Sequence, residues 1–282
     1  MLNRIRPMSD SSSYVLGNSG GEQARIAMQA RILRDWTAGF LRAAPFVKGM
    51  HVLDVGCGLG DVSFLVGEIV GPTGSVLGID RDGAMVVKAS ERAREGGVSD
   101  SVRFEQADAE RFEADRPFDA VVGRYVLHHQ REPKRFLHRV ASQVRTGGLV
   151  FFHEFDFATV ISMWPETPPL WRREMQILAE YYRRAGLYPD LGLRLTRTFL
   201  DAGLGWPVVR AEVPVGGEPG SYLFEWLAQT VRSLLPGLVE QGLAEETELE
   251  METLRARLEA ESSGMGCQLI GPVQYAAWAV KP

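Results

Sequence analysis

The first half of the chain repeats one pattern, in which a short, mainly apolar run is followed by apolar residues at helical spacing. Such runs are typical of parallel strands that are buried on both faces. Between them, the periodicity predicts helices over residues 62–69, 82–96 and 132–144. The alternation of strand and helix predicts an α/β fold with a doubly wound sheet. The predicted strands lie at residues 52–55, 76–80, 102–106, 118–122 and 149–155.

The pattern changes after residue 156, where a proline-rich segment at 164–169 interrupts it. A helix is also predicted at the front of the chain, from about Glu22 to Leu41, with Asn18 or Ser19 as its cap. The front segment and the later helices hold many of the tryptophans and tyrosines, which could line a hydrophobic pocket or simply cover the sheet. The later helices are predicted at 170–185, 196–202, 220–235 and 243–262, and further strands at 208–215 and 274–280.

The first predicted strand ends in a turn that contains Gly56, Gly58 and Gly60. Glycine has no Cβ, so the backbone can turn tightly there and lie close against a ligand. A dinucleotide fingerprint needs a small residue three positions after the second glycine, where this chain has Asp61. Asp54 precedes the glycines, and a carboxylate there would repel a pyrophosphate but attract a cationic amino-acid ligand. No Gly-Lys-Ser/Thr follows the turn, which excludes a P-loop.

Acidic residues follow two more of the predicted strands. Asp80 ends the second strand and is placed to accept both ribose hydroxyls of an adenosine. Asp108 follows the third strand and is placed to accept from an exocyclic adenine amino group. Residues 124–129 and 153–156 end the fourth and fifth strands, and ligands of such sheets bind off the carboxyl ends of the strands. We therefore expect all of these residues to share one crevice.

Several of these motifs occur together, in order, over roughly residues 45–155: LDVGCGLG, GID, ADAERF, FDAVVGRYVLHH and the turn Arg145-Thr146-Gly147-Gly148. In this the chain resembles class I S-adenosylmethionine-dependent methyltransferases of the small-molecule, UbiE-like (type 11/25) group. The resemblance implies a Rossmann-like, seven-stranded, mostly parallel sheet whose last strand is antiparallel, with N-terminal and inserted helical caps. It divides the chain into a cofactor-covering segment at 1–41, an α/β core at 42–156, and cap helices with the remaining strands at 157–282.

The resemblance implies S-adenosyl-L-methionine as the cofactor and S-adenosyl-L-homocysteine as its product. In many small-molecule methyltransferases the N-terminal segment closes on the cofactor, which makes Tyr14 a candidate contact and gives Arg25 a route to the cofactor carboxylate. Arg124 is expected to contact the cofactor through its main chain. The candidate cofactor-binding residues are Tyr14, Arg25, Asp54, Gly56, Cys57, Gly58, Asp80, Arg81, Asp108, Ala109 and Arg124.

Proton removal from the acceptor needs a base when the acceptor is a hydroxyl, an amine or a carbon that must lose a proton. Histidine is the natural candidate near neutral pH, and His128 and His129 follow the fourth strand. Glu154 could orient such a histidine, and Tyr14 is a further catalytic candidate. A histidine pair at this place could equally serve in packing. A metal site from His128, His153 and Glu154 would lack the carboxylate set of metal-dependent methyltransferases, so no metal is expected.

The composition of the chain narrows the range of partners that we expect. The formal net charge is −5, with both signs spread along the chain, so no nucleic-acid partner is expected. No run of about 18 apolar residues occurs, which predicts no membrane partner. Two cysteines, Cys57 and Cys267, form no disulfide framework, and the first residues lack a signal-peptide core, so a cytoplasmic protein is expected, as monomer or homodimer.

The sequence as a whole favours a transferase that moves a methyl group to an oxygen, nitrogen or carbon of a small, hydrophobic or aromatic metabolite, of the kind made in secondary metabolism. Two alternatives stay open. One is an NAD-type oxidoreductase on the same kind of sheet, against which Asp54 and Asp61 count. The other is a protein that keeps the cofactor pocket without methyl transfer, such as a cyclase or a scaffold, because a fold does not fix a function.

Overall fold

The computed structural model describes residues 20–163, 166–244 and 251–282. Its helices are α1 Gly20–Ala43, α2 Asp61–Val70, α3 Gly83–Glu95, α4 Pro133–Ala141, α5 Ala158–Met163, α6 Pro169–Arg184, α7 Leu191–Asp201, α8 Tyr222–Glu240 and α9 Leu254–Met265, with a 3₁₀ turn at Leu127–His129. Its strands are β1 His51–Val55, β2 Ser75–Asp80, β3 Val102–Gln106, β4 Phe118–Arg124, β5 Val144–Asp156, β6 Val208–Glu212, β7 Val215–Gly216, β8 Leu269–Ile270 and β9 Val273–Val280.

The main sheet has seven strands in the order β3-β2-β1-β4-β5-β9-β6. The first five strands in the chain pair in parallel, whereas β9 lies antiparallel between β5 and β6. The fold class is therefore as predicted, including the antiparallel last strand. A second, two-stranded sheet of β7 and β8 was not predicted.

Both faces of the main sheet are covered, which explains the apolar runs. Phe151 and Phe152 are adjacent on β5 and, because side chains alternate along a strand, they enter two different cores. Phe152 packs with Leu53 on one face, and Phe151 packs with Val52 on the other. Each such buried side chain contributes about 1.5–3 kcal/mol. A strand that supplies two cores has no polar face, so its sequence shows no alternation.

A third core forms from the segments that follow the fifth strand. Helices α6, α8 and α9 bury Trp171, Met175, Phe224 and Leu258 among themselves. This core reaches the sheet through Phe155, at the end of β5. The later aromatic helices thus build a cap over the carboxyl ends of the strands, as the resemblance implied.

Several predicted boundaries were wrong. Residues 145–148 are part of β5, because a register shift between β4 and β5 accommodates the two glycines without ending the strand. Helix α7 begins at Leu191, five residues before the predicted 196. The strand predicted at 208–215 ends at Glu212, and residues 215–216 pair with β8 instead. Helix α9 begins at Leu254, and residues 245–250 of the predicted helix lie outside the described part.

Candidate active site

A cavity of about 420 Å³ lies where the carboxyl ends of the strands meet the cap. Its size is in the range of small-molecule sites. One half is formed by the segments that follow β1 to β4, and the other by the cap and the end of β5. The wall residues of the first half lie in 56–59, 79–82, 107–110 and 124–126, and those of the second half include His128, His129, Phe155, Phe157, Leu178, Tyr182 and Trp226.

The glycine turn after β1 needs its glycines for two reasons. Gly56, Gly58 and Gly60 all have positive φ angles, of 65°, 52° and 83°. A Cβ on Gly56 would lie 2.7 Å from Val126 Cγ2, and one on Gly60 would lie 2.6 Å from Phe104 Cζ. Gly58 has no atom within 4 Å of its Cβ position and lines the cavity. The absence of a side chain at Gly56 and Gly60 therefore allows close packing, and its absence at Gly58 leaves space in the cavity.

Asp80 joins the end of β2 to the glycine turn. Its Oδ2 accepts a hydrogen bond from the Gly58 amide at 2.9 Å, and its Oδ1 accepts one from the Asp82 amide at 2.9 Å. Burial raises the pKa of this carboxyl, and the two amide donors oppose the rise. Each carboxylate oxygen can accept a second hydrogen bond. Asp80 is thus oriented toward the cavity with capacity for two hydroxyl donors.

Asp54 has a different position from the other predicted acids. It is buried, does not line the cavity, and accepts a hydrogen bond from Ser63 Oγ of α2 at 2.5 Å. Burial raises the pKa of Asp54 to about 7. The side chain therefore ties β1 to α2, and a direct contact with a ligand stays a prediction.

The remaining cofactor candidates divide into those in the wall and those outside the described side chains. Cys57, Arg81, Asp108 and Ala109 all line the first half of the cavity. The Asp108 carboxylate accepts a hydrogen bond from the Glu110 amide at 3.0 Å, which fixes the loop after β3. Tyr14 lies outside the described residues. Arg25 belongs to α1, but its side chain is not among those described.

His128 and Glu154 form a buried pair at the boundary between the two halves. Glu154 Oε2 lies 2.8 Å from His128 Nδ1, and the relative exposures are 0% and 2%. Glu154 Oε1 accepts hydrogen bonds from the amides of Val126, at 2.9 Å, and Leu127, at 2.7 Å. The carboxyl therefore holds both the histidine ring and the turn that carries it. His128 and its neighbour His129 both line the cavity.

Burial also decides where the proton of this pair resides. Desolvation raises the pKa of Glu154 to about 8, and the backbone donors oppose this rise. When the pair carries a single proton, this proton lies between Oε2 and His128 Nδ1, because Oε1 already accepts two amides. With Nδ1 directed at the carboxyl, Nε2 is the ring nitrogen that can exchange a proton with a ligand.

A second polar network was missed by sequence reasoning. Arg124 Nη1 donates to Thr37 Oγ1 at 3.2 Å, and Thr37 Oγ1 lies 3.3 Å from His153 Nδ1. His153 Nε2 lies 3.1 Å from Gln274 Oε1, which also accepts from the Tyr125 hydroxyl. No motif signals this set, because its members come from α1, β4, β5 and β9.

One proton arrangement satisfies that whole network. Burial lowers the pKa of His153 to about 3, so its ring is neutral. Thr37 then donates to Nδ1, and Nε2–H donates to Gln274. Arg124, whose pKa is lowered by burial, is held at the cavity wall by Thr37. The network therefore holds the side chains of Arg124 and Tyr125 in place through Thr37 and Gln274. Tyr125 also has a φ of 60°, the one positive φ at a non-glycine among the described residues.

The structure separates the residues of the conceivable metal set. His153 and Glu154 are adjacent on β5 and point to opposite sides of the strand, so one bonds to Thr37 and the other to His128. No group of three or more His, Cys, Asp or Glu residues placed to hold a metal ion occurs in residues 20–163, 166–244 and 251–282. None of the helices described is long and apolar enough to cross a membrane.

The sheet order, the glycine turn after β1 and the acids after β2 and β3 on one cavity define the Rossmann-like class of the methyltransferases. The family described as "Methyltransferase domain" matches residues 46–188, about half of the chain, and the chain belongs to this family.

Two sequence relatives match a little under half of the chain. The chain is 31% identical over 127 residues to the ubiquinone/menaquinone biosynthesis C-methyltransferase UbiE of Pseudomonas fluorescens, covering 45% of this chain and 50% of the relative. The UbiE of Pseudomonas syringae pv. syringae is 33% identical over 127 residues, again covering 45% and 50%. The chain thus spans about half the length of the curated relatives it matches.

Solved structures share the fold at low sequence identity. YcgJ from Bacillus subtilis has a TM-score of 0.56 at 18% identity, covering 88% of this chain and 99% of its own. Phosphoethanolamine N-methyltransferase 2 of Haemonchus contortus, in complex with S-adenosyl-L-methionine, has a TM-score of 0.52 at 18% identity, covering 88% and 52%. The [4+2]-cyclase SpnF has a TM-score of 0.52 at 19% identity, covering 88% and 81%. These likenesses concern the fold alone.

Proposed function

We propose that this chain transfers a methyl group from S-adenosylmethionine to an oxygen, nitrogen or carbon of a small, hydrophobic or aromatic acceptor. The observation that carries the proposal is one cavity with two unlike halves, a polar half at the strand ends and an aromatic half under the cap. Tyr125 and His128 lie where the halves meet. A donor and an acceptor placed in the two halves would therefore meet beside the buried histidine pair.

The residues of the first half suit an adenosyl amino acid. Asp80 is oriented for the ribose hydroxyls, Asp108 for the adenine amino group, and the backbone at Gly58 for the amino-acid end. The bound cofactor supplies a methyl group on a positively charged sulfonium. Asp80 accepts a hydrogen bond from the Gly58 amide, and its carboxylate beside the turn favours a cation there and opposes a pyrophosphate. This is the reason to prefer the methyltransferase over an NAD-type oxidoreductase.

The second half suits an acceptor without charge. Phe155, Phe157, Tyr182 and Trp226 present aromatic surface, and Leu178 adds aliphatic surface. Such a wall excludes water and holds a flat or hydrophobic molecule in one orientation. Orientation alone can lower a barrier of this kind by roughly 7–11 kcal/mol in favourable cases. The names of the UbiE relatives, which are C-methyltransferases of quinone biosynthesis, agree with an acceptor of this chemistry.

Proton removal is assigned to His128. In this proposal the pair acts with Glu154 ionised, the state that is populated as the pH rises through its raised pKa. His128 then holds its hydrogen on Nδ1, its Nε2 accepts the acceptor's proton, and the Glu154 carboxylate stabilises the resulting charge through Nδ1. The Glu154 carboxylate also keeps the ring in one orientation through the amides of Val126 and Leu127. His129 and Tyr14 stay as further candidates, and His129 lies with its ring centroid 3.8 Å from that of His128.

Calorimetry tests the cofactor half. The wild-type protein should bind S-adenosylhomocysteine and release no heat with NADH. Asp80→Ala should weaken that binding by about 10- to 100-fold, because a charge-assisted hydrogen bond is worth about 1.5–3 kcal/mol. Asp100→Ala, the same substitution in the exposed turn before β3 and away from the cavity wall, is the matched control and should leave the binding unchanged. Binding of NADH and none of the homocysteine product would contradict the proposal.

Transfer itself is tested with methyl-labelled cofactor and a panel of neutral aromatic, polyene and quinol acceptors. Label should appear in at least one product of this panel and not in charged analogues. A protein that binds the cofactor, as shown by calorimetry, but labels no acceptor at all would favour the alternative of a pocket without methyl transfer.

A further inference from the structure

The exposed apolar side chains of the described chain concentrate at one edge of the main sheet. Trp206 is 80% exposed, Val208 is 52% exposed and Val280 is 56% exposed. Val208 pairs with Trp278 of β9 in antiparallel register. Trp206 lies two residues before Val208 in the chain, and Val280 lies two residues after Trp278. The same stretch also carries Val209, Val213 and Val215, which are 39%, 48% and 52% exposed.

Strand β6 is the last strand of the sheet, and all five of its residues are exposed. The unpaired amides and carbonyls of an edge strand are a template for pairing with another strand, and β6 is a short edge strand that carries two charged residues. The opposite edge, β3, has no exposed large apolar side chain, and its Phe104 packs against Phe64 of α2. The β6 edge therefore differs from the β3 edge in what it exposes.

The charges on β6 are complementary to themselves. Arg210 and Glu212 flank Ala211, and both are exposed. If two copies of β6 run antiparallel about a two-fold axis at Ala211, Arg210 of each copy lies opposite Glu212 of the other. The same register sets Val209 of each copy opposite Val213 of the other. Opposite charges and β-branched residues in facing positions stabilise antiparallel pairs.

Two prolines limit the length of chain that can pair in this register. Pro207 and Pro214 lie on either side of β6, and proline cannot donate to a strand ladder. Pairing is thereby confined to the residues between them, where the two-fold arrangement at Ala211 aligns both charges. A pair of this kind is isologous, so it closes as a dimer and does not continue into a fibre.

We propose that β6 pairs with β6 of a second copy of this chain, about a two-fold axis at Ala211, and joins the two main sheets into one. No residue of β6 lines the cavity, so each copy keeps its own site. The inference does not rest on the proposed activity.

Charge exchange provides the test, with molecular mass measured by sedimentation equilibrium across a concentration series. The wild type should form a particle of twice the 31.3 kDa chain mass. R210E and E212R each place two like-charge pairs in the interface, and each should raise the dimer dissociation constant about tenfold or more. An equimolar mixture of R210E and E212R should regain the dimer, because each charge again faces its opposite. The double variant R210E/E212R should dimerise alone.

The matched control is R103E, the same exchange on the opposite edge strand, where Arg103 is also exposed. It should leave the dimer intact. Binding of S-adenosylhomocysteine should be unchanged in all of these variants, which separates loss of the dimer from loss of folding.

Three outcomes would overturn the proposal. One is a wild type that stays monomeric over the whole series. Another is a dimer that R103E dissociates while R210E does not, which would move the interface to β3. The third is a monomer that becomes a dimer only when residues 1–19 are deleted, which would mean that this segment covers the edge in the full chain.

Discussion

At the scale of single residues, the candidate site depends on buried acidic side chains and on the groups that hydrogen-bond to them. Glu154 and Asp54 are both fully enclosed acids, yet they serve different groups. Glu154 carries the turn of His128, whereas Asp54 is bonded to Ser63 of α2. The sequence placed both acids near the cofactor, but it contained no signal for which groups each one bonds to. The direction of an acidic side chain at the end of a strand is set by the residues that pack on each side of that strand.

The buried histidine pair gives a prediction for turnover. His128→Ala should lower kcat by about 10²–10⁴, the usual contribution of general base catalysis, while the affinity for S-adenosylhomocysteine is unchanged. Glu154→Gln should lower kcat as well, because an amide stabilises a charged imidazole less than a carboxylate does. Steady-state kinetics together with calorimetry measure both quantities.

His129→Ala distinguishes between the two candidate rings, since it removes the neighbouring ring and leaves the pair of His128 with Glu154. If His128 is the base, this variant should keep most of the wild-type kcat. A His128→Ala enzyme with normal turnover would show that the proton leaves by another route or that no base is needed.

Asp54 gives a prediction for stability against pH. Its pKa is raised by burial to about 7 in the folded state, from 3.8 as the ordinary value. A raised folded pKa means that the neutral form is favoured on folding, so this contribution to stability is full below about pH 4 and is lost as the pH rises to about 7. Asp54→Asn, which stays neutral, should therefore gain stability relative to the wild type over that window.

Urea unfolding at pH 5 and pH 8 measures the effect, and we expect a relative gain of roughly 1–3 kcal/mol at the higher pH. Asp100→Asn, the same substitution in the exposed turn before β3, is the matched control, and its free energy of unfolding at pH 8 should stay within about 0.5 kcal/mol of the wild type. Equal pH dependence in Asp54→Asn and the wild type would show that Asp54 is ionised in the folded protein.

At the scale of elements, the glycine turn and its neighbouring strands have to fit each other. Gly60 packs under Phe104 of β3, and Gly56 packs under Val126 after β4. The sequence indicated the turn because glycine is needed for positive φ. It did not indicate the partners, since β3 and β4 are distant from the turn along the chain.

Two glycines separate the effect of backbone angle from that of packing. Gly60 and Gly97 both have positive φ, but only Gly60 has an atom within 4 Å of its Cβ position. Gly97→Ala should cost about 1 kcal/mol for the backbone angle alone. Gly60→Ala should cost about 2–4 kcal/mol, because the added methyl also displaces Phe104. Thermal or urea unfolding of both variants checks this, and equal losses would mean that Phe104 moves aside freely.

At the scale of the whole molecule, the cap and the sheet share one cavity but have separate cores. Trp171 is buried inside the cap core, whereas Trp226 of α8 reaches the cavity wall. Trp171 and Trp226 belong to two different predicted helices, at 170–185 and 220–235. The sequence left open whether the aromatic residues of such helices line a pocket or only cover the sheet. The structure divides them between these two roles.

The division between the tryptophans predicts a split in kinetic parameters. Trp226→Ala should raise the acceptor KM about tenfold and leave the affinity for S-adenosylhomocysteine unchanged, because it enlarges only the second half of the cavity. Trp206→Ala, at the exposed sheet edge, should change neither value. Loss of cofactor affinity in Trp226→Ala would show that the two halves are not independent.

The sequence by itself determined the α/β class and the carboxyl-end crevice, since apolar runs that alternate with helices indicate a parallel sheet buried on both faces, while the antiparallel last strand was implied by the resemblance. It also determined the glycine turn and Asp80, whose roles follow from neighbouring residues in the chain. Only the tertiary structure decided the link from Thr37 through His153 to Gln274, the choice of His128 over His129 as the partner of Glu154, and the exposed edge at β6. Each of these depends on residues far apart in the chain, and the periodicity of an element says nothing about what another element brings to its face.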